Sequence, residues 1–344
     1  MSGAAVEISG PPVPRERERA RHPFARFVVR RLAQGVVTLL VASVVIFLAT
    51  SVIPGSPATS ILGHSANPQA VRVLDHRLGY DKPVTTRYVD WLGHLAHGSL
   101  GNSAILLAQG APKAPVWPTI RSPLANSVTL ALVTTLFLIP ISLTLGVIAG
   151  VKSGRWPDHV ISVMSLVFVA LPEFVVATIL VAVFFVALDL LPPVSVIAPG
   201  EWALTNPKVL VLPVLTLLAV SVAWTVRLVR VGTIEVLKSD YVQTARLHGI
   251  SEPKVLRRYV LRNSLAPSIQ IFALSVQYLF GGVIITEVVF GYPGIGKQLV
   301  DAVNSHDTSV IQAIALVLAT IYILINIFAD LLVVLLVPKL RTQL

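Results

Sequence analysis

Residues 239–249 read Ser239-Asp-Tyr-Val-Gln-Thr-Ala-Arg-Leu-His-Gly249, and the chain continues through Ile250-Ser-Glu-Pro253 to Leu265-Ala-Pro267. The stretch is polar and basic, yet segments apolar enough to enter lipid lie on both sides of it. A helix-turn-helix of this composition does not cross a bilayer, because its charges would lose their water; it is a surface held on one side. Ser239 or Asp240 is placed to N-cap a short first helix, and Gly249 to end it in the left-handed conformation. Ser251, Glu252 and Pro253 mark the start of a second helix, with the proline in the first turn, where no donor is lost. There Val255, Leu256, Tyr259 and Val260 share one face, and Lys254, Arg257, Arg258 and Arg262 another. A basic helix-turn-helix can read DNA, but flanking spans leave a recognition helix no approach to a groove, so nucleic acid is not an expected partner. A solvated loop with no partner is the plainer alternative. The two caps on so short a helix favour a surface that a partner touches.

Outward from this stretch the chain is apolar. Of its 344 residues 54% are hydrophobic and only 13% charged, with a mean hydropathy of +0.78. Soluble domains carry about 25% charged residues, so the composition is that of an all-α polytopic membrane protein in contact with the lipid bilayer. Leu32 to Ile53 carries no charge and is long enough to cross a hydrocarbon core of about 30 Å. Arg26, Arg30 and Arg31 flank its start, and Pro54-Gly55 closes it. Further spans are expected near residues 124–151, 160–188, 209–227, 264–286 and 309–336, six helices in all, which puts both termini on one side. Residues 1–31, the 152–155 and 227–262 loops and the C-terminus hold 19 of the 27 Lys and Arg residues. Positive-inside bias then makes both termini and the central loop cytoplasmic.

The expected organisation is a flexible tail at 1–25, a first transmembrane helix at 26–53 and an extracytoplasmic loop subdomain at 54–123. A five-helix core at 124–338, containing the cytoplasmic loop 228–263, and a cytoplasmic end at 339–344 complete it. The tail, with Pro11, Pro12, Pro14 and the run Arg15-Glu-Arg-Glu-Arg-Ala-Arg21, cannot bury a core. It is not a cleaved signal peptide, because the apolar run after it is too long and ends in no small-residue cleavage site. In the outer loop, Pro68 to Gly79 and Pro83 to His97 read as short helices, the second with Tyr88, Trp91, Leu92 and Leu95 on one apolar face. Ala108 to Pro118 reads as irregular, and Phe290 to Gly296 as a tight turn.

Chemistry-bearing constellations are scarce. The absence of cysteine excludes disulfides and Fe–S clusters. Gly291 to Lys297 lacks P-loop spacing, and no nucleophile–base order stands out, so an enzyme is disfavoured. His94 and His97 have a spacing that can hold a metal on a helix, but no third ligand accompanies them, and surface histidines are the default. Glu173, after Pro172, and Asp330 are carboxylates inside spans; such acids face a bundle interior or a water path. Asp330 is close enough to the end of its span to reach water or an arginine. Pro140, Pro172, Pro213 and Pro267 free backbone carbonyls in or beside spans and permit kinks.

Several stretches together resemble the first permease subunit of the dipeptide/oligopeptide/nickel class of ATP-binding-cassette importers. They are Phe27-Val-Val-Arg-Arg-Leu-Ala-Gln34 through Ile53-Pro-Gly-Ser-Pro57, and Leu78-Gly-Tyr-Asp-Lys-Pro83 with Tyr88, Trp91 and Gly98-Ser-Leu-Gly101. Asp240-Tyr-Val-Gln-Thr-Ala-Arg246 with Gly249, Arg262-Asn263 to Pro267, Glu287 to Gly296, and Asn326 to Asp330 complete the set, covering most of residues 24–341. The resemblance implies a type I permease fold of a bacterial inner-membrane protein. It also implies a helix formed by Asp240, Tyr241, Gln243, Thr244, Ala245, Arg246 and His248, with Gly249 closing it, that docks on an ATPase subunit. Gln243-Thr244-Ala245 stands where many such permeases have Glu-Ala-Ala, and Val337 where Asp is common before Pro338. The implied partners are a second permease, two ATP-binding subunits and an extracytoplasmic binding protein. No cofactor is expected in this chain, ATP and Mg²⁺ acting on the ATPases. Glu173, Gln277, Tyr278 and Asn326 are the polar candidates for a path lining. Peptides are the expected cargo, with nickel, another metal chelate or haem as alternatives. An ion-coupled secondary transporter is the rival outside the class; it needs coupling residues near the midplane, often in an inverted repeat, and the sequence shows one deep acid and no obvious repeat.

Overall fold

A computed structural model describes residues 23–52, 57–63, 67–198 and 200–336, without the side chains of 262–267 among others. Most of the expected tail, the Pro54-Gly55 stop and the C-terminal end from Val337 lie outside the described residues. Among those described, every regular element is helical and none is a strand. Among the described residues five helices are long and apolar enough to cross a membrane, and six if a bent helix pair is counted as one span.

The first span is α1 (Pro23–Ser51). Four short helices follow: α2 (Pro57–Leu62), α3 (Pro68–Leu78), α4 (Val84–Ala96) and α5 (Ala104–Ala108). Gly79 closes α3 at φ +73°, with Tyr80 N–H donating to Asp75 O at 2.9 Å. The aromatic face of α4 settles on the end of α1: the Tyr88 and Trp91 rings lie 5.2 and 5.8 Å from Phe47. Tyr88 also shares a 3.0 Å hydrogen bond with Ser43.

The second span, α6 (Val116–Val151), begins eight residues before its expected start. Arg121, Ser122, Asn126 and Ser127 interrupt the apolar run but not the helix: the first two are exposed, and the last two donate to Pro293 O and to Glu287. The expected continuous third span at 160–188 is instead broken. Helices α7 (Trp156–Ala170) and α8 (Glu173–Val181, continued by a π-helical segment Ala182–Ala187) meet at 102°. Pro172 explains the break, since it forces Leu171 into extended backbone and cannot donate to the helix before it. Pro140 and Pro213, by contrast, sit inside unbroken helices.

The fourth span, α9 (Lys208–Leu237), outruns its apolar stretch by ten residues past 227, carrying Arg227 and Arg230 beyond it. After α10 (Asp240–Leu247), the second loop helix is not separate: α11 (Glu252–Val255) and a π-helical turn Leu256–Val260 run into α12 (Leu261–Val289), the fifth span. Then come α13 (Ile295–Asn304) and the last span, α14 (Thr308–Leu336).

Packing follows small residues and buried polar pairs. Helices α6 and α9 meet where Gly146 and Gly150 offer no side chain, against Val229 and Thr233. Spacing of glycines by four is the small-residue seam that lets membrane helices approach closely. Helix α12 packs on α9 and α14, and α1 on α14. At one end of the α1–α14 pair Arg31 reaches Asp330 at 3.2 Å, as its place near a span end allows. This ion pair brings the start of α1 beside the end of α14. Asp307 ties down the start of α5, accepting from Ser103 Oγ and from the Ala104 amide at 3.1 Å.

Candidate coupling surface and membrane path

Helix α10 is held from both ends and from beneath. At its start Ser239 has extended backbone, but its hydroxyl donates back to Val236 O and makes no side-chain cap. Asp240 is the first helical residue, where its charge complements the amide end of the helix dipole. The expected Ser239 cap is therefore replaced by charge, because the hydroxyl is drawn to the unpaired carbonyls that end α9. At the other end Gly249 adopts φ +73°. Its N–H donates to Arg246 O at 2.9 Å and that of Ile250 to Ala245 O at 3.2 Å, the double closure of a Schellman turn.

Val242 and Ala245 are buried against Val255 and Val260, with Ile250, Leu256 and Tyr259 alongside. Arg246 bridges to Glu252 at 2.6 Å, clamping the helix to the following turn, and that carboxylate holds the guanidinium even more firmly protonated. Gln243 Nε2 donates to Lys238 O at 3.2 Å, and His248 Nδ1 pairs with Thr244 O at 2.8 Å. The opposite face is open. Tyr241, Thr244, Leu247 and His248 are all exposed, Leu247 by 87%. Helix α10 thus has a packed back and an exposed, partly apolar front.

Residues 142–342 match the family described as binding-protein-dependent transport system inner membrane component, and residues 24–131 match its N-terminal membrane component. The glutathione transport system permease proteins GsiC of Salmonella choleraesuis (strain SC-B67) and Salmonella typhi are each 32% identical over 315 residues, 92% of this chain and 98% of theirs. The GsiC of Escherichia coli (strain K12) is 32% identical over the same length. The chain belongs to this family. It is a multi-pass inner-membrane permease subunit of an ATP-binding-cassette importer, of the dipeptide/oligopeptide type, and not an enzyme. Membership implies a partner permease, ATPase subunits on which ATP and Mg²⁺ act, and a binding protein.

Within the permease the path candidates divide. Glu173, the first residue of α8 after the break, is 8% exposed and accepts from Thr286 Oγ1 at 2.8 Å. It faces Gly282, where a Cβ would stand 2.9 Å from Oε2. Tyr278, one turn before Gly282 on α12, is half exposed. Gln277 is buried, and its Nε2 has no hydrogen-bond partner among the described residues. These three belong to the α8–α12 region; Asn326 stands apart on α14 and is exposed. His94 and His97 are exposed, with His97 Nδ1 taken up by Gly93 O at 2.8 Å. Among the described residues no three His, Asp or Glu are grouped to hold a metal ion.

Two polar anchors escape a reading of the sequence. Asp158, buried at the start of α7, accepts from Arg230 Nε and from Nη2 at 2.8 Å, from Gly154 N at 2.8 Å and from Ser162 Oγ at 3.2 Å. The pair joins residues 72 apart and locks the α6–α7 turn to α9, two turns before the end of that helix. The other is Glu287, fully buried, which accepts from Gly296 N at 2.7 Å, Lys297 N at 3.0 Å and Ser127 Oγ. Ser127 in turn accepts from Ile295 N at 2.7 Å, so the first amides of α13 are all satisfied. Tyr292 donates to Asn126 O at 2.8 Å; burial, then the Glu287 carboxylate, lifts its hydroxyl above the usual range and keeps it a donor.

Proposed function

We propose that this permease and a second, similar one form a path for di- and oligopeptides, delivered by an extracytoplasmic binding protein and driven from the cytoplasm through α10. The relatives named for glutathione transport, a tripeptide, support the cargo class. The basic-residue asymmetry supports a cytoplasmic 228–263 loop and an extracytoplasmic 54–123 subdomain. The observation that carries the reading is the doubly closed helix α10, seated on Val255 and Val260 and exposing Tyr241, Thr244, Leu247 and His248. In this reading Asp240, Tyr241, Gln243, Thr244, Arg246 and His248 form or flank the contact with an ATPase, while Ala245 and Gly249 fix the helix. Because α10 joins α9 to the α11–α12 run, a push on it reaches both spans, and through α12 the Glu173–Tyr278 region. ATP-dependent uptake of a labelled dipeptide into proteoliposomes, requiring the ATPase subunits, tests this; uptake by the permease alone under an ion gradient contradicts it.

Replacing Gly249 by Val is expected to weaken association with the ATPase subunits. A Cβ there meets no atom within 4 Å, so the whole effect comes from the left-handed backbone. That conformation costs a β-branched residue about 1–2 kcal/mol, roughly a 5- to 30-fold change in the population of the closed turn. Gly249→Asn, which tolerates this φ, is the control. Equal co-purification of ATPase with Gly249→Val removes the turn from the contact. For Glu173→Gln the expected outcome is several-fold slower transport with complex yield unchanged, since the glutamine oxygen still accepts from Thr286. Wild-type uptake by that variant would leave Glu173 a packing residue.

A further inference from the structure

Away from the membrane path, the outer helices enclose a pocket of about 400 Å³. Its walls come from α3, α4 and the segments beside them, and its floor from the end of α1 and the start of α14, through Phe47, Thr308 and Gln312. Pockets of about 300–1,000 Å³ hold small molecules. The charges within it are unbalanced. Its one carboxylate, Asp90, is already taken by Lys82 at 2.7 Å. Arg77 and Arg87 remain, and among the described residues neither has a carboxylate within 4 Å.

Arg87 is also pre-positioned. Its guanidinium carbon lies 3.8 Å from the centre of the Tyr80 ring and 5.8 Å from that of Phe47. Tyr80 is itself fixed, its hydroxyl sharing a 2.9 Å hydrogen bond with Thr308 of the last span. Held over a ring by cation–π attraction, a guanidinium can still offer N–H donors to a planar, bidentate acceptor. Beside it stand Trp91 and Leu107, apolar, and Asn102 and Ser309, which can bond to amides. Charge, hydrogen-bonding groups and an apolar wall therefore converge within one small volume.

We infer that this pocket binds the terminal carboxylate of a short peptide, at a site separate from the Glu173 region. The carboxylate sits on Arg87, with Arg77 adding positive charge, and the last side chain lies against Trp91. The choice of a peptide over another carboxylate rests on the proposed cargo; the anion site itself does not. Because its floor is made of span ends, occupancy would bear on how α1 and α14 sit together at that side.

The chain has no cysteine, so one placed at His94, on the pocket lining, reports occupancy directly. The whole transporter, without its binding protein, is labelled with a maleimide, and the adduct on this subunit is followed by mass spectrometry. Saturating alanyl-phenylalanine is expected to slow labelling at least fivefold, its C-terminal amide to have no effect, and Arg87→Gln to abolish the protection. Equal protection by acid and amide, or none by either, overturns the inference, and neither result needs the Arg87 variant to assemble. Protection by phosphatidylglycerol in the nanodisc but not by the peptide overturns it in favour of a lipid headgroup. Uptake of alanyl-phenylalanine is measured in parallel. Uptake without protection removes the pocket and leaves the cargo reading intact; protection without uptake does the reverse.

Discussion

Valine at both Gly146 and Gly150 is expected to strip the membrane of assembled, monodisperse permease. A Cβ at 146 would stand 2.6 Å from Val229 Cβ and 3.1 Å from Val226 O. At 150 it would stand 2.7 Å from Thr233 Cβ and 3.1 Å from Arg230 O. The opposing atoms are backbone or sit next to it, so no rotamer change relieves the overlap and the helices must part. Overpacking of this kind costs about 1–3 kcal/mol at each site. Parting α6 from α9 also draws Arg230 away from Asp158, and breaking a buried ion pair adds about 3–5 kcal/mol where one charge is left alone. Fluorescence-detected size-exclusion after heating is the measurement. A double-valine protein with the melting midpoint of the wild type would show that the two helices do not meet along this seam.

Glu287→Ala is expected to be nearly as damaging, by the opposite route of removal. Gly296 N–H, Lys297 N–H and the Ser127 hydroxyl lose their acceptor together in a buried site. A buried donor left without a partner costs about 1–3 kcal/mol. The turn 290–294 and the start of α13 should loosen from α6, leaving the Tyr292, Pro293 and Ile295 bonds to Asn126 and Ser127 as the remaining polar links. Gly294 has room only because it lacks a side chain, a Cβ there lying 2.0 Å from Glu287 Oε1, so the carboxylate and the turn are fitted to each other. Limited proteolysis reads the effect: cleavage within 290–307 is expected to appear in the variant at protease levels that spare the wild type. Equal resistance would mean that the carboxylate does not hold this turn.

The parts of the molecule legible in the sequence are those whose cause is local. Gly249 is readable because a left-handed helix end calls for glycine, and α10 because it is polar between apolar runs. The faces of Val255 and Val260 against Lys254, Arg257 and Arg258 follow from periodicity alone. Pro172 could equally kink or break its span, and only the 102° bend decides between them. The extension of α6 back to Val116 was hidden because polar residues end an apolar run without ending a helix. Gly146 and Gly150 carry a visible spacing, but which helix they face depends on tertiary packing. Glu287 gives no local signal: two of its donors are backbone amides and the third lies 160 residues earlier. Asp158 and Arg230 share that obscurity, although charges at the ends of two apolar helices invite pairing.

Contact between α10 and an ATPase on the cytoplasmic side is directly measurable, because the chain has no cysteine. Leu247, 87% exposed on the free face of α10, is replaced by Cys and charged with a benzophenone maleimide in the assembled transporter. Illumination is expected to join this chain to an ATPase subunit, with the same reagent on Val242→Cys giving no such product because that side faces inward. A Leu247 adduct with the binding protein instead, or labelling of Leu247→Cys in intact cells by a membrane-impermeant maleimide, would contradict it.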